Sequence, residues 1–418
     1  MNEILKVAVA GCGSRGQDTY GNIMAGMRDK VQVVAAADPR PERLQAMKET
    51  WGLRDDQCFA TAEEMTAQPK LADAMVIATP DNCHYLQAKA AMEKGYHLLL
   101  EKPISPTAEQ CQDLARIANE KGLKVVICHV LRYTVFYQKI KEIMDSGLLG
   151  NIVSIQAIEQ VCYWHQAHSF VRGNWRNSKE SSPMILAKCC HDMDILLWLT
   201  GKHCTGVSSM GSLAHFKAEN APEGAPARCT DGCPAGDKCP YNAVTFYMSE
   251  LERGNTDWPC NILSVHPTKE TITAALKTGP YGRCVYHCDN DVVDHQVVNM
   301  TMEGGSTIGF TMSAFTAHGG RCIRVMGTHG EIVADSKKNT ITVMPYGGKD
   351  EVIDVTTLAS DFSGHGGGDK ILIKEFIEYL MHDVSTPTLT SINDSVESHL
   401  VALGAEESRL HQGNTVFF

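Results

Sequence analysis

The chain has no basic cluster. Its 38 lysines and arginines are outnumbered by 49 aspartates and glutamates, for a net charge of -11. With no Lys/Arg patch above this acidic background, nothing is placed to neutralise a phosphate backbone, and nucleic acid is excluded as a partner. No apolar run approaches the length of a bilayer crossing, so no membrane-spanning helix and no membrane partner are expected. The first residues lack a charged n-region and a small-residue cleavage site, and a cytoplasmic location is expected. Internal repeats and low-complexity tracts are also missing; the glycines of 364–368 form a local loop. Cysteine is abundant instead, with sixteen in 418 residues. In a long chain of this kind Cys12, Cys83, Cys111 and Cys128, set among small or apolar neighbours, read as buried reduced thiols.

The most informative stretch is 4–16, where an apolar run leads into Gly11-Cys12-Gly13-Ser14-Arg15-Gly16. A strand feeding GxGxxG builds a phosphate cradle. Gly11 permits the tight turn, Gly13 lets a pyrophosphate approach bare backbone, and Gly16 lets the next helix pack closely with its N-terminus toward the anion. A second apolar run, 31–37, ends in Asp38, where a carboxylate can accept hydrogen bonds from an adenosine ribose. Asp38 favours NAD, because a carboxylate repels a 2′-phosphate; Arg40, two residues on, leaves NADP open.

Further strand-like runs at 74–78, 97–100 and 125–128 alternate with helical stretches at 41–50, 82–94 and 107–120. This spacing predicts a parallel sheet with helices on both faces and cofactor chemistry at the carboxyl ends of its strands. The residues just after those ends are Thr79-Pro80-Asp81, Glu101-Lys102-Pro103 and His129. Beyond His129 the pattern changes to one amphipathic helix, 134–146, and then alternating runs at 297–302, 307–315, 321–326, 331–334 and 340–344, with late helices near 370–382 and 394–409. The fold class expected is α/β, an N-terminal Rossmann dinucleotide-binding domain (1–128) followed by an α+β domain (129–418) with a large, mainly antiparallel open sheet.

Two groups of residues carry candidate chemistry. Lys102, at the end of the 97–100 run, can stabilise the alkoxide character that develops as a hydride leaves a carbinol carbon. Cys229-x3-Cys233-x5-Cys239 lies in a Cys-rich insertion at about 221–260; with a fourth ligand, for which Cys284 is preferred over Cys260 and Cys204, these thiols suit a structural zinc or iron–sulfur cluster. Packing cysteines and a disulfide remain the alternatives at this point.

Strand-GxGxxG, Ala78-Thr79-Pro80 with His84 behind it, Glu101-Lys102-Pro103, Asn174-Trp175-Arg176 and His191-Asp192-Met193-Asp194 together resemble the glucose-fructose oxidoreductase / inositol dehydrogenase / MocA family. The resemblance runs through the whole chain, and the Glu-Lys-Pro triplet is its most specific element. It implies an NAD(P)-dependent oxidoreductase of sugars, glycosides or cyclitols, acting on a secondary hydroxyl or its ketone, assembled as a homodimer or homotetramer through the second sheet. It makes Lys102 the hydroxyl-orienting lysine and His191 the general base, and it sets Thr79, Pro80, His84, Trp175 and Arg176 around the nicotinamide. Ser14, Arg15, Glu101 and Arg132 complete the expected cofactor contacts.

Read on its own, the helix around His191 places Lys188 and Asp192 one turn apart, where they can form a salt bridge. The chain departs from the family at Ala187, where many members carry an aspartate; Lys188 then offers a second cation and a third catalytic candidate. The cluster Tyr163-Trp164-His165 with His168, together with Asp192 and His365, gives the expected substrate contacts, aromatic rims being a common way to stack on sugar faces. Two other readings use the same residues: a glycoside-cleaving enzyme that oxidises C3, eliminates and re-reduces with a retained NAD, and a non-catalytic dinucleotide-binding sensor, against which the presence of Lys102 and His191 argues.

Overall fold

The computed structural model describes residues 4–418 and sorts their main strands into two sheets. The first comprises β1 (Leu5–Ala10), β2 (Val31–Ala37), β3 (Cys58–Phe59), β4 (Ala74–Ile77), β5 (His97–Leu100) and β6 (Val125–Ile127), in the order β3-β2-β1-β4-β5-β6 with every pairing parallel. Buried on both faces, the longer strands are near-continuous apolar runs, which is why they are legible as such. The helices between them carry clear end signals. Pro41 opens Pro41–Trp51 and Gly52 closes it at φ 69°. Thr107 accepts a hydrogen bond from the Gln110 N–H at the start of Ala108–Lys121, and Gly122 ends that helix at φ 62°.

The second sheet comprises β7 (Ile152–Gln160), β8 (Cys204–Ser212), β9 (His295–Met302), β10 (Thr307–Ser313), β11 (Gly320–Gly327), β12 (Gly330–Asp335), β13 (Thr340–Pro345), β14 (Glu351–Asp354) and β15 (Val416–Phe417). Its order is β14-β13-β12-β11-β7-β10-β9-β8-β15, antiparallel except where β10 runs parallel to β7. Strict alternation in β9 and β10 buries Val298, Met300, Ile308 and Phe310 beneath the helices Cys190–Thr200 and Ile392–Leu410. The opposite face leaves Val153, Val297 and Val333 exposed.

The chain also returns to its start. Leu372, Ile373, Phe376 and Ile377 of helix Gly368–His382 join Val7, Val9, Tyr20 and Val126 in one core on one face of the first sheet, and Ile392 joins the core on the other. The nucleotide-binding half therefore draws part of its core from beyond residue 129. Residues 213–294, between β8 and β9, form neither sheet; they fold into short helices with two small cores of their own, one around Phe216 and Cys284 and one around Tyr247 and Cys260.

Candidate active site

The glycine loop follows β1 directly. Gly11 holds φ +84°, and a Cβ there would lie 2.5 Å from the Ala78 carbonyl oxygen; a Cβ on Gly16 would lie 1.9 Å from the Gly11 carbonyl oxygen. Only bare backbone fits either position. At Gly13 the nearest atom to a Cβ is the end of the Arg40 side chain, at 3.4 Å, so the approach to the loop is limited by a side-chain terminus and not by backbone. The helix that follows begins with wide, π-wound turns at Ser14–Gly21. This cradle fits the pyrophosphate of a dinucleotide.

Asp38 caps β2 and is buried. Its carboxylate accepts the Cys12 N–H at 2.8 Å, the Arg40 N–H at 3.0 Å and the Arg40 guanidinium at 3.0 and 3.2 Å. Arg40 thus lies across the acid expected to receive the ribose. Arg15 turns away from the cradle into a buried network with Glu101 (2.7 Å), Asp369 (2.7 Å) and the Tyr20 hydroxyl. Despite its burial, Asp369 is held well below the usual carboxylate range by a hydrogen bond from His365 and by Arg15. Asp369 begins the returning helix, so the glycine loop, the Glu101 loop and the chain's late segment share one ion-pair network, with His365 bonded to Asp369 at 2.9 Å.

Lys102 extends from the end of β5 and donates to the Ala187 carbonyl oxygen at 2.8 Å. Its ammonium is thus held at the end of helix Met184–Ala187, four residues before His191 in the chain, and retains further donors. His191 is 7% exposed, and its Nδ1 has no hydrogen-bond partner among the described residues. Burial, reinforced by Lys102, His129 and Arg321, pushes its pKa well below the usual histidine value, so it stands as a neutral base. The His129 ring meets it edge-on at 5.7 Å and the His365 ring lies at 6.5 Å.

Several expected contacts are committed elsewhere. Lys188 does not pair with Asp192: its ammonium lies 3.2 Å from Glu159, while Asp192 is bound by Arg321 at 2.7 Å, and Arg321 also reaches Glu159 at 2.9 Å. These four charges balance, which makes Lys188 part of a quartet and not an isolated second cation, and leaves Asp192 poorly placed as a substrate ligand. Arg132 clamps the buried Asp194 with two bonds of 2.6 and 2.7 Å, so its charge is already compensated inside the protein. His84 is buried, bridging the carbonyls of Pro103 (2.7 Å) and Thr79 (2.9 Å); it positions both loops without facing the cradle. Arg176 faces Asp289 of the insertion and Glu180, four residues on. His168 is buried against Tyr281 and Tyr247, which removes it from the substrate rim.

Trp175 stays near the site, its indole N–H on Asp81 at 3.0 Å, and Ser181 and Ser182 bond the same carboxylate at 3.0 and 2.8 Å. Asp81 thereby ties the Thr79-Pro80 loop to the second half of the molecule. Trp164 and His165 pack on Phe246 and Trp258 of the insertion, with Tyr163 close to Tyr241. Sequence reasoning missed Arg321 and Glu159, whose relevance depends on strands β11 and β7 lying beside each other.

A glycine cradle at the carboxyl edge of a parallel sheet, with a lysine and a neutral histidine beside it, defines a nicotinamide-dependent oxidoreductase. Residues 5–129 match the family model described as oxidoreductase family, NAD-binding Rossmann fold, and residues 137–230 match the GFO/IDH/MocA C-terminal domain. The chain belongs to this family. It is 22% identical to the putative oxidoreductase YteT of Bacillus subtilis, over 72% of this chain and 71% of that protein. To the 2,7-anhydro-N-acetylneuraminate hydratase of Escherichia coli it is 23% identical, over 68% and 74%. The crystal structure of the WlbA dehydrogenase from Bordetella pertussis, in complex with NADH and UDP-GlcNAcA, shares the fold at a TM-score of 0.71 and 18% identity, covering 100% of this chain and 99% of that one. Inositol dehydrogenases stand among the other relatives and solved structures, and no described helix is long and apolar enough to cross a membrane.

Among the described residues no group of three or more His, Cys, Asp or Glu side chains stands close enough to hold a metal ion. This counts against the expected zinc. All sixteen cysteines are free thiols, which removes the disulfide alternative.

Proposed function

We propose that this protein oxidises a secondary hydroxyl of a sugar, glycoside or cyclitol, or reduces the matching ketone, with NAD as its cofactor and His191 and Lys102 as its acid–base pair. The carrying observation is the Lys102 ammonium held on the Ala187 carbonyl, where its charge acts on a buried, neutral His191. When bound, NAD supplies a hydride acceptor. Gly11, Gly13, Ser14 and Gly16 would hold its pyrophosphate, Asp38 and Arg40 its adenosine end, and Thr79, Pro80 and Trp175 would border the nicotinamide. His191 takes the hydroxyl proton, Lys102 orients the oxygen and offsets its developing charge, and burial keeps water from competing. Lys188 acts through Glu159, setting the charge around this pair. The Tyr163–His165 rim and His365 border the substrate. The division into 1–128 and 129–418 belongs to the same proposal, with helix Gly368–His382 serving the first half, as does a homodimer or homotetramer formed in the cytoplasm.

A second reading is favoured by one observation: a relative aligned over 68% of this chain is named a hydratase, a reaction without net oxidation. The same site then works with a retained NAD, and glycoside cleavage by oxidation, elimination and re-reduction becomes available. The test is to incubate the enzyme with NAD and a panel of sugars, cyclitols and aryl glycosides, following NADH and released aglycone together. NADH accumulating in step with product supports the dehydrogenase; aglycone release with catalytic NAD supports the second reading. An enzyme that binds NAD yet turns over nothing on the panel overturns both.

A further inference from the structure

Cys229, Cys233, Cys239 and Cys284 line a single cavity in the 213–294 insertion. The backbone explains part of the convergence. Arg228 and Arg283 pair as an antiparallel bridge, with the Cys229 N–H on the Gly282 carbonyl and the Cys284 N–H on the Ala227 carbonyl, each at 2.9 Å. Residues opposite one another in such a pair share a face, so Cys229 and Cys284 project to the same side, diagonally apart. Cys233 and Cys239 close around them on the turns of 233–239.

Two arginines line the same cavity. Arg172 is 3% exposed, yet no carboxylate pairs with it among the described residues: its donors go to the carbonyls of Arg283 (2.7 Å) and Tyr241 (2.6 Å) and to Cys229 Sγ (3.6 Å). Arg228 likewise bonds only carbonyl oxygens, and its Nε is buried without a partner. Buried charge demands compensation. The anionic counterpart available to these guanidiniums is the set of four thiols, once ionised.

A tetrahedral zinc at about 2.3 Å from each sulfur would gather the thiols into mutual contact. They are not gathered so, although they face one space. A group larger than one ion could still reach thiols that line one space, and ligation by four cysteine thiolates is the usual means of holding an iron–sulfur cluster. We propose that Cys229, Cys233, Cys239 and Cys284 ligate an iron–sulfur cluster, with Arg172 and Arg228 balancing its charge. The cluster's place is structural. Arg172 ends the helical segment that begins at Tyr163–His165, and the insertion carries Phe246 and Trp258, which pack on Trp164 and His165. Ligation would hold the wall of the substrate rim.

The test uses the full chain purified without oxygen, reconstituted with ferrous iron and sulfide, and assayed for iron, zinc and acid-labile sulfide alongside its visible absorption. Expected are iron and sulfide in equal amounts with a broad absorption bleached by dithionite, retained in Cys322→Ser and lost in Cys239→Ala and Cys284→Ala. In those two variants NAD affinity is unchanged while KM for substrate rises several-fold. Zinc at one per chain, or wild-type protein that takes up neither iron nor sulfide, overturns the proposal, and the wild-type assay decides it even if the variants fail to fold. The result is independent of the proposed reaction, since no step of that reaction uses these thiols.

Discussion

At the scale of residues, the site depends on what each charged group is already bonded to. Lys102 has spent one donor on a backbone carbonyl, so its remaining donors are directed, and among the described residues no carboxylate pairs with its ammonium. Lys102→Met and His191→Ala are each expected to lower kcat by about 10²- to 10⁴-fold with NAD affinity unchanged, measured by steady-state kinetics and by fluorescence titration of NADH. A fully active double variant would remove both from the mechanism. The adenosine end gives a second prediction. Arg40 wraps Asp38, so Asp38→Ala both removes the ribose acceptor and releases a guanidinium; NAD binding should weaken by about tenfold or more while NADP binding strengthens, as read by titration with both reduced cofactors. The positions of Lys102 and of the glycines were legible in the sequence because each follows a strand end, and His191 was marked by the family resemblance. The roles of Arg132, Arg176, His84 and His168 were not legible, because their partners, Asp194, Asp289, Pro103 and Tyr247, lie 19 to 113 residues away.

Among elements, the parallel strands were the easiest to read: burial on both faces makes them unbroken apolar runs, and the run at 31–37 coincides with β2. Strand β8, Cys-Thr-Gly-Val-Ser-Ser-Met-Gly-Ser, carries no such signal, since its small and polar residues are held by pairing with β9 on one side and β15 on the other. The two-residue β3 is too short to have a pattern. The glycine loop supplies a contrast that can be measured. Gly16→Ala would force a Cβ to within 1.9 Å of backbone and should abolish NADH binding. Gly52→Ala, at φ +69° with open space around it, should cost only about 1 kcal/mol of stability and leave binding intact. Equal behaviour of the two variants would mean that close helix approach is not what the loop requires. The returning helix is likewise part of the nucleotide half: Phe376→Ala, at a position 1% exposed, should cost about 3–5 kcal/mol in denaturant unfolding.

For the molecule as a whole, the two halves are joined by helix Ile392–Leu410 through a titratable contact. His399 is fully buried; its Nδ1 donates to the Ser395 carbonyl at 2.8 Å and its Nε2 accepts the Ile104 N–H at 2.9 Å. Only the neutral ring can donate on one side and accept on the other. Burial, helped by His129, therefore pushes its pKa down to about 3. Because the folded value lies below the unfolded one of about 6.5, the unfolded chain takes up a proton first as pH falls, and stability present above pH 6.5 is lost below it. Between pH 7 and pH 5 this one group accounts for a loss of about 2 kcal/mol. Asp192 and Asp194, whose pKa values are raised chiefly by burial, act in the opposite direction, so the histidine is best isolated by substitution. His399→Gln keeps an acceptor for Ile104 that does not titrate. Urea unfolding of the two proteins at pH 7, 6 and 5 should show the variant losing about 2 kcal/mol less than wild type over that range; parallel losses would mean that His399 is protonated in the folded state. Ile104 lies two residues past Lys102. The folded ring stays neutral across this interval, so the contact beside the Lys102 loop persists there, and the activity of folded enzyme between pH 7 and 5 should follow the same profile in wild type and in His399→Gln.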